Sequence, residues 1–276
     1  MITPKQQIVE VFNVAGIIPA EISHLSKLHI LSIESDPYEI RFEPQNFELL
    51  LKNLTRLREL HLSSVNISST SPLKFSSYLT NLGLSDTQIF GTLPEGVYNL
   101  SNLESLDLSD NPQFTVRFPT TKWNSSASLM KLYLSGVNAT GRTPESFGHL
   151  TSLHRLRIAS CNLSGSIPKP LWNLTNIEVS DLGILDLSDN HLSGNIQEFY
   201  FEPLYPVALK QNQLQGPIPK SLLDLQGLQF LLLSRNNLSG QIASTICNLT
   251  KLLVLDLGSN NLEGPIPLCL GEMSGL

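Results

Sequence analysis

This 276-residue chain has few cysteines. Only Cys161, Cys247 and Cys269 are present, so at most one intrachain disulfide can form and one thiol must remain. Three cysteines are too few for a disulfide framework, and their number does not report the redox compartment.

Charge and long apolar runs are also scarce. Asp, Glu, Lys and Arg make up 15% of the chain and the net charge is −6, which disfavours nucleic acid as a partner. No apolar stretch reaches the length of about 18 residues that spans a membrane, and the first residues lack the apolar core of a signal peptide. We therefore expect neither a membrane span nor a targeting signal in these residues.

Catalytic and metal-binding motifs are missing. No phosphate loop or kinase signature occurs, and the six histidines are scattered without metal-ligand spacing. His154 and Asp107 could suggest acid–base chemistry, but an open sheet surface would shift their pKa values little. We expect no enzyme activity, no cofactor and no metal site.

A repeated leucine pattern dominates what is present. Leu-x-x-Leu-x-Leu recurs about every 24 residues, usually followed by Asn-x-Leu-x-Gly-x-Ile-Pro, with Leu252–Pro267 as the clearest copy. The first leucines of the units are Leu28, Leu57, Leu79, Leu103, Leu129, Leu153, Leu182, Leu204, Leu228 and Leu252.

This period predicts an α/β solenoid, a leucine-rich repeat arc. Leucines two residues apart point to one side of a short strand, and stacking joins the strands into a parallel sheet about 4.8 Å apart. We expect that sheet on the concave face, and short helices, 3₁₀ turns and loops on the convex face. The Ile-Pro pair is expected to begin a second extended segment.

The asparagine after the leucines has a predicted structural role. Its amide can donate to and accept from buried backbone groups of adjacent turns. We expect a structural ladder at Asn111, Asn190, Asn212, Asn236 and Asn260.

We predict one solenoid over residues 1–276, with about ten repeats and a partial repeat at 1–27. The register breaks near 177–182, either through a deletion that fuses two repeats or through an insertion loop. Both ends look uncapped, without polar caps or paired cysteines. We therefore expect a piece of a longer protein.

The variable positions between the leucines predict a ligand-binding surface, because they face solvent while the frame is fixed. A basic and aromatic patch is expected on adjacent units, with an acidic group beside it. The candidate residues are Glu59, His61, Asp86, Asp107, Asp110, Lys131, Tyr133, His154, Arg155, Arg157 and Asp186. The alternative is an ordinary solvated sheet surface.

Apolar residues are expected on the same face further along the chain. Phe230, Leu232, Leu253 and Val254 would form an exposed patch, which marks either a ligand contact or packing against a neighbouring domain.

Sequons for N-glycosylation are frequent. Their regular placement along the repeats suits passage through the secretory pathway, although the repeat template itself favours Asn-Leu-Ser/Thr. The candidates are Asn53, Asn66, Asn99, Asn124, Asn138, Asn162, Asn173, Asn237 and Asn248.

The Gly-x-Ile-Pro extension resembles plant extracellular leucine-rich repeats, and several stretches resemble the tomato Cf-type disease-resistance receptor-like proteins. Those stretches are Thr55–Leu60, Ser160–Glu178, Ile246–Leu249 and Leu255–Gly264. The resemblance implies an immune-receptor ectodomain in the apoplast or at the extracellular side of the plasma membrane. It also implies a pathogen-derived or endogenous protein or peptide ligand, an adaptor receptor-like kinase and a co-receptor kinase.

A soluble protein resembling polygalacturonase inhibitors, which block pathogen cell-wall hydrolases with the same repeat, is the alternative. An ice-binding or purely structural repeat protein would need identical exposed residues in a regular array, whereas the predicted face is heterogeneous.

Overall fold

The computed structural model describes residues 7–12, 15–36, 39–43, 45–69, 74–119, 123, 128–172, 183–198 and 204–273. Two compact units, Met1–Ala139 and Thr140–Leu276, make up the chain and are described separately. The predicted register break near 177–182 lies outside the described residues, and a single continuous solenoid stays a prediction.

The first unit contains three parallel sheets. Its strands are β1 (Gln7–Phe12), β2 (Gly16–Ile18), β3 (Leu28–Glu34), β4 (Ile40–Phe42), β5 (Glu59–Ser63), β6 (Asn81–Gly83), β7 (Gly91–Thr92), β8 (Ser105–Asp107), β9 (Phe114–Val116), β10 (Lys131–Tyr133) and the beginning of β11 (Asn138–Arg142). The leucine strands form the order β1-β3-β5-β6-β8-β10, β7 pairs with β9 and β9 with β11, and β2 pairs with β4.

The second unit repeats this arrangement with two parallel sheets. Its strands are the end of β11, β12 (Arg155–Arg157), β13 (Asn162–Ser166), β14 (Gly183–Asp186), β15 (His191–Asn195), β16 (Leu204–Ala208), β17 (Gln213–Gly216), β18 (Phe230–Leu232), β19 (Asn237–Gln241), β20 (Val254–Asp256) and β21 (Asn261–Glu263). The even-numbered strands β12 to β20 form the leucine sheet, and the odd-numbered strands β11 to β21 form the other sheet.

Short helical elements follow the strands, as the repeat pattern predicts. One α-helix, α1, spans Asn46–Asn53. The 3₁₀ helices span Ala20–His24, Glu95–Asn99, Glu145–His149, Lys169–Trp172, Leu222–Asp224, Ser244–Asn248 and Leu268–Gly271. In the part of the chain that the structure describes, no helix is both long and apolar enough to cross a membrane.

The expectation that Ile-Pro begins the second extended segment was wrong. In the clearest second-unit example, β13 ends at Ser166, before Ile167 and Pro168, and a 3₁₀ helix follows from Lys169. Proline has no N–H for a sheet ladder, and its fixed φ near −65° suits the position before a helical turn. Pro94 and Pro144 hold that position with φ of −69° and −78°.

Leucines of the repeat form the dry interior of each unit. Leu60, Leu82 and Leu106 are buried in register with one another in the first unit. Leu185 and Leu231 are buried at the equivalent position of the second unit. Each buried leucine contributes roughly 1.5–3 kcal/mol of hydrophobic stabilisation.

The asparagines of the predicted ladder bond to backbone groups of their own and the preceding turn. Asn212 shows the pattern: its Nδ2 donates to the carbonyls of Leu187, Leu209 and Lys210 at 3.0–3.2 Å, and its Oδ1 accepts from the Leu192 N–H at 3.0 Å. The same four bonds recur at Asn190, Asn236 and Asn260. Asn111 donates to three carbonyls in the same way, but its Oδ1 accepts from the N–H and the hydroxyl of Thr87, which holds the ladder position of the preceding repeat.

The residue before the ladder position has a left-handed backbone in nine repeats, a feature that the sequence analysis missed. Its φ lies between 53° and 70° at these nine described positions. The residues are Ser64, Asp86, Asp110, Gly136, Ser160, Asp189, Gln211, Arg235 and Ser259. This conformation turns the chain so that the next side chain enters the interior.

The N-terminal residues contain a strand that the leucine pattern did not reveal. β1 pairs in parallel with β3, and Val9 and Val11 are in register with Leu31 and Ile33. Valine replaces leucine here, so residues 7–12 do not match the repeat motif although they extend its sheet.

A disulfide joins Cys247 to Cys269, with their Cα atoms 5.7 Å apart. The expectation that neither end carries paired cysteines was therefore wrong at the C-terminal end. The bond links two successive 3₁₀ helices, and Cys161 is the remaining buried thiol. The covalent link holds the last described repeat, whose Leu255 and Leu257 are only half-buried.

We predict that Asn212→Ala lowers the free energy of unfolding by about 2–4 kcal/mol, because it leaves several buried backbone groups unpaired. Urea unfolding followed by circular dichroism measures the change. Gln213→Ala alters the exposed neighbouring residue and should cost less than about 0.5 kcal/mol. Equal effects of the two substitutions would contradict the ladder's role.

We predict that Cys269→Ser lowers the free energy of unfolding by about 3 kcal/mol, as expected for opening a loop of 22 residues. Hydrogen exchange should quicken first in β20 and β21. A reductant should reproduce the effect in the native chain and add nothing to the variant. Unchanged exchange in these strands after reduction would refute the stapling role.

Candidate functional site

One face of each leucine sheet points away from the buried leucines, and we call it the open sheet face. In the first unit its side chains form two registered rows across the strands. The rows are Ile30, Glu59, Asn81, Ser105 and Lys131, and Ser32, His61, Gly83, Asp107 and Tyr133. All ten residues are half-buried, as expected for a solvent-facing sheet surface.

A depression of about 220 Å³ interrupts this face where Gly83 lacks a side chain. His61 lies on one side of the gap, and Asp107 and Tyr133 lie on the other. A Cβ at Gly83 would come within 3.0 Å of His61 Nδ1, so the glycine keeps the depression open. The sequence analysis named these neighbours but not the gap.

Charged groups border the depression. Glu59 Oε2 and His61 Nε2 are 3.6 Å apart, so protonated His61 would form an ion pair. Asp107 uses Oδ1 to accept the Ser109 N–H at 3.0 Å, a local turn bond that fixes its carboxylate at the strand end. This face therefore combines a fixed acid, an ionisable base and the phenol of Tyr133.

Asp86 and Asp110 lie in the left-handed turns and not on the strands, so they border the open sheet face without belonging to it. Asp86 Oδ2 accepts the Ser64 hydroxyl at 3.0 Å. Burial raises the pKa of Asp110 above its ordinary value, and the nearby Asp86 and Asp107 raise it further. Among the described residues, no group of three or more His, Cys, Asp or Glu is arranged to hold a metal ion.

In the second unit, one row of the open sheet face is Arg157, Asp186, Ala208, Leu232 and Asp256. Arg157 Nε is 3.7 Å from Asp186 Oδ2, and their side chains are 49% and 23% exposed. Arg155 is in register with Ile184 on the parallel row. The two arginines and Asp186 are thus on the face that the sequence predicted.

His154 departs from the prediction. It is only 8% exposed, and its Nδ1 is 3.3 Å from the Ser152 carbonyl oxygen. His154 precedes β12, so it does not share the side-chain alternation of the strand. It therefore cannot act as a solvent-facing contact in this structure.

The predicted basic and aromatic patch is divided between the two units. Lys131 and Tyr133 are in the first, and Arg155 and Arg157 are in the second. Their assembly into one patch stays a prediction.

The open sheet face of the second unit becomes apolar toward β20. Phe230 is in register with Val254, and both Phe230 and Leu232 are half-buried. Leu253 and Val254 are 47% and 39% exposed. The patch predicted from the sequence is therefore exposed at its far end.

Described sequons lie away from the open sheet face. Asn53, Asn99 and Asn248 are the last residues of α1 and of two 3₁₀ helices. Asn138, Asn162 and Asn237 begin strands of the other sheet, and Asn66 forms a parallel bridge with Arg41. Asn124 and Asn173 lie outside the described residues.

We predict that Asp110→Asn stabilises the protein at pH 7. A raised carboxyl pKa means that the folded state holds the proton more tightly than the unfolded chain, so ionisation at higher pH costs stability. The gain should shrink as the pH falls below the ordinary pKa of aspartate. Urea unfolding across pH 3–7 measures it, with exposed Asp36→Asn as the control. A gain that grows toward low pH would contradict the assignment.

Comparison with known proteins agrees with this architecture. The Leucine Rich Repeat family model matches residues 152–174, 227–249 and 251–273. The receptor-like protein Cf-9 homolog of Solanum lycopersicum is 69% identical to this chain over 137 residues. Those residues are 50% of this chain and 16% of that protein. The chain thus spans about a sixth of this relative's length.

Solved receptor structures have the same fold. A TDR receptor superposes with a TM-score of 0.74 at 27% identity, over 97% of this chain and 50% of that one. The leucine-rich repeat ectodomain of the Arabidopsis receptor kinase HAESA was solved with an IDA peptide hormone ligand. It superposes with a TM-score of 0.75 at 25% identity, over 98% of this chain and 48% of that one. The chain is therefore a leucine-rich repeat protein, and half of its length is homologous to the tomato Cf-9 type receptor-like proteins.

Proposed function

We propose that this chain is a ligand-recognition part of a plant immune receptor-like protein, and that its open sheet face binds a protein or peptide. The ligand is pathogen-derived or endogenous. The observation that carries the proposal is the contrast between a fixed, buried frame and varied, accessible residues in the registered rows.

The chemistry of the open sheet face in each unit suits a peptide. The first unit offers the Gly83 depression with Asp107 and Tyr133, where a protruding ligand side chain could insert. The second unit offers Arg157 beside Asp186 and the apolar Phe230 region. Tyrosine and arginine are frequent anchors of interfaces, and paired opposite charges orient a ligand more than they add affinity.

Glycan placement supports the same use. The described sequons lie on the helical edge and the other sheet, so attached glycans would leave the open sheet face accessible. The Cys247–Cys269 bond suits an oxidising compartment. We assign the chain to the apoplast or the extracellular side of the plasma membrane, with an adaptor receptor-like kinase and a co-receptor kinase as partners of the full receptor.

We predict that Tyr133→Ala combined with Arg157→Ala abolishes recognition of a cognate ligand without lowering thermal stability. The test captures apoplastic peptides from infected tomato leaves on the immobilised chain and resynthesises those that bind. Affinity of a synthetic peptide should fall more than about 100-fold, which corresponds to roughly 2.7 kcal/mol.

Glu95→Ala combined with Lys220→Ala changes exposed residues away from the open sheet face and should leave affinity intact. Equal binding by both double variants would refute recognition through this face. Saturable inhibition of a fungal polygalacturonase by the chain would instead favour the soluble-inhibitor alternative.

A further inference from the structure

A second cavity lies in the first unit, and its lining residues are outside the strands of the open sheet face. Its volume is about 320 Å³, at the lower end of the range for small-molecule sites. Phe90, Ser68, Gln88, Gln113 and Asp110 contribute to its wall. An aromatic ring opposite amide, hydroxyl and carboxylate groups is the combination that recognises a sugar, which has apolar C–H faces and a rim of hydroxyls.

Phe90 provides the apolar surface of this cavity. Its side chain is 38% exposed, whereas neighbouring Ile89 is fully buried in the core. Its backbone is fixed, since the Phe90 N–H donates to the Ser69 carbonyl at 3.2 Å. More than a third of the side chain is therefore accessible from the cavity side of the surface.

The sequon Asn66-Ile67-Ser68 adjoins the cavity directly. Ser68 lines the cavity, and its hydroxyl donates a hydrogen bond to Asn66 Oδ1. The distance from Ser68 Oγ to Gln88 Oε1 is 3.3 Å. The hydrogen bond from Ser68 ties the Asn66 side chain to a residue of the cavity wall. Asn66 Nδ2 makes no hydrogen bond to any described residue, whereas Nδ2 of Asn138 donates to Thr115 and Nδ2 of Asn248 to Asp224.

The backbone of Asn66 is rigid as well. Its N–H donates to the Ile40 carbonyl at 2.9 Å, and its carbonyl accepts the Phe42 N–H at 3.0 Å. The attachment point of a group on Nδ2 is therefore held in place. Little conformational entropy would be lost when such a group contacts the cavity wall.

We infer that Asn66 carries an N-linked glycan whose first N-acetylglucosamine occupies this cavity, stacked on Phe90. Gln88, Gln113 and Asp110 supply hydrogen-bonding groups for its acetamido group and hydroxyls. In the attachment, a lipid-diphosphate-linked oligosaccharide is the donor: its C1–O bond breaks, a C1–Nδ2 bond forms, Nδ2 loses a proton, and the lipid diphosphate leaves. The inference rests on passage through the secretory pathway, which belongs to the proposed function.

The test uses the full chain, secreted from cells that make only high-mannose glycans. Endoglycosidase H then trims every glycan to one N-acetylglucosamine, and glycopeptide mass spectrometry reports the occupancy of Asn66 and Asn99. Thermal unfolding is compared for the native chain, Ser68→Ala, Phe90→Ala and the double variant. The same four proteins made without glycans in bacteria supply the background.

We expect Asn66 to be occupied, and Ser68→Ala to lower the Tm of the trimmed glycoprotein by about 2–4 °C more than in the bacterial background. The Tm of the double variant should fall no further than that of the more affected single variant, because both substitutions remove the same contact. Ser68→Thr keeps the sequon and should preserve the Tm. As a matched control, Ser101→Ala removes the Asn99 sequon, and its effect should add to that of Phe90→Ala.

Three results would overturn the inference. An unoccupied Asn66 beside an occupied Asn99 refutes the site and leaves the proposed function intact. If Ser68→Ala and Phe90→Ala lower the Tm of the trimmed glycoprotein additively, the stacking of the N-acetylglucosamine on Phe90 is refuted. Absence of glycan from every sequon removes the secretory assignment together with this inference.

Discussion

The buried asparagine amide is the interaction on which the five repeats that carry it depend. A turn that enters the interior brings backbone N–H and C=O groups away from water, where each unpaired group costs about 1–3 kcal/mol. Asn212 satisfies three carbonyls and one N–H, of which the Leu187 carbonyl and the Leu192 N–H belong to the preceding turn. Because net protein stability is only about 5–15 kcal/mol, a few such amides decide whether the stack forms.

The proposed recognition would use the separation between a fixed frame and a variable surface. Leucines and ladder asparagines fix the backbone, so residues between the leucines can vary without a folding penalty. The depression at Gly83 and the Arg157–Asp186 pair are two outcomes of that freedom on one type of sheet. The same type of repeat can therefore present unlike surfaces in the two units.

The sequence predicted the periodic parts well and the local exceptions poorly. Spacing placed Arg157 and Asp186 in register, because alternation along a strand is a strict geometric rule. Spacing wrongly predicted an exposed position for His154. This residue precedes strand β12 and is buried by packing that no spacing rule describes. Spacing also treated Asp86 and Asp110 as face residues, because the left-handed turn before the ladder has no single residue signature.

Features that depend on contacts between repeats were beyond prediction. Cys247 and Cys269 meet because equivalent 3₁₀ helices of successive repeats lie side by side, which the count of three cysteines could not reveal. Strand β1 escaped notice since valine replaces leucine in it. The sugar-sized cavity at Phe90 arises from three successive turns and has no linear motif beyond the Asn66 sequon.

Site-resolved hydrogen exchange of the unmodified chain tests the central claim most directly, since the claim is that buried asparagine amides hold the turns. The amides of Leu192, Leu214 and Leu238 donate to ladder asparagines. They should exchange as slowly as the amides of the leucine-sheet strands. Exchange at the rate of unprotected surface amides would show that the ladder does not hold the turns, and would contradict the account.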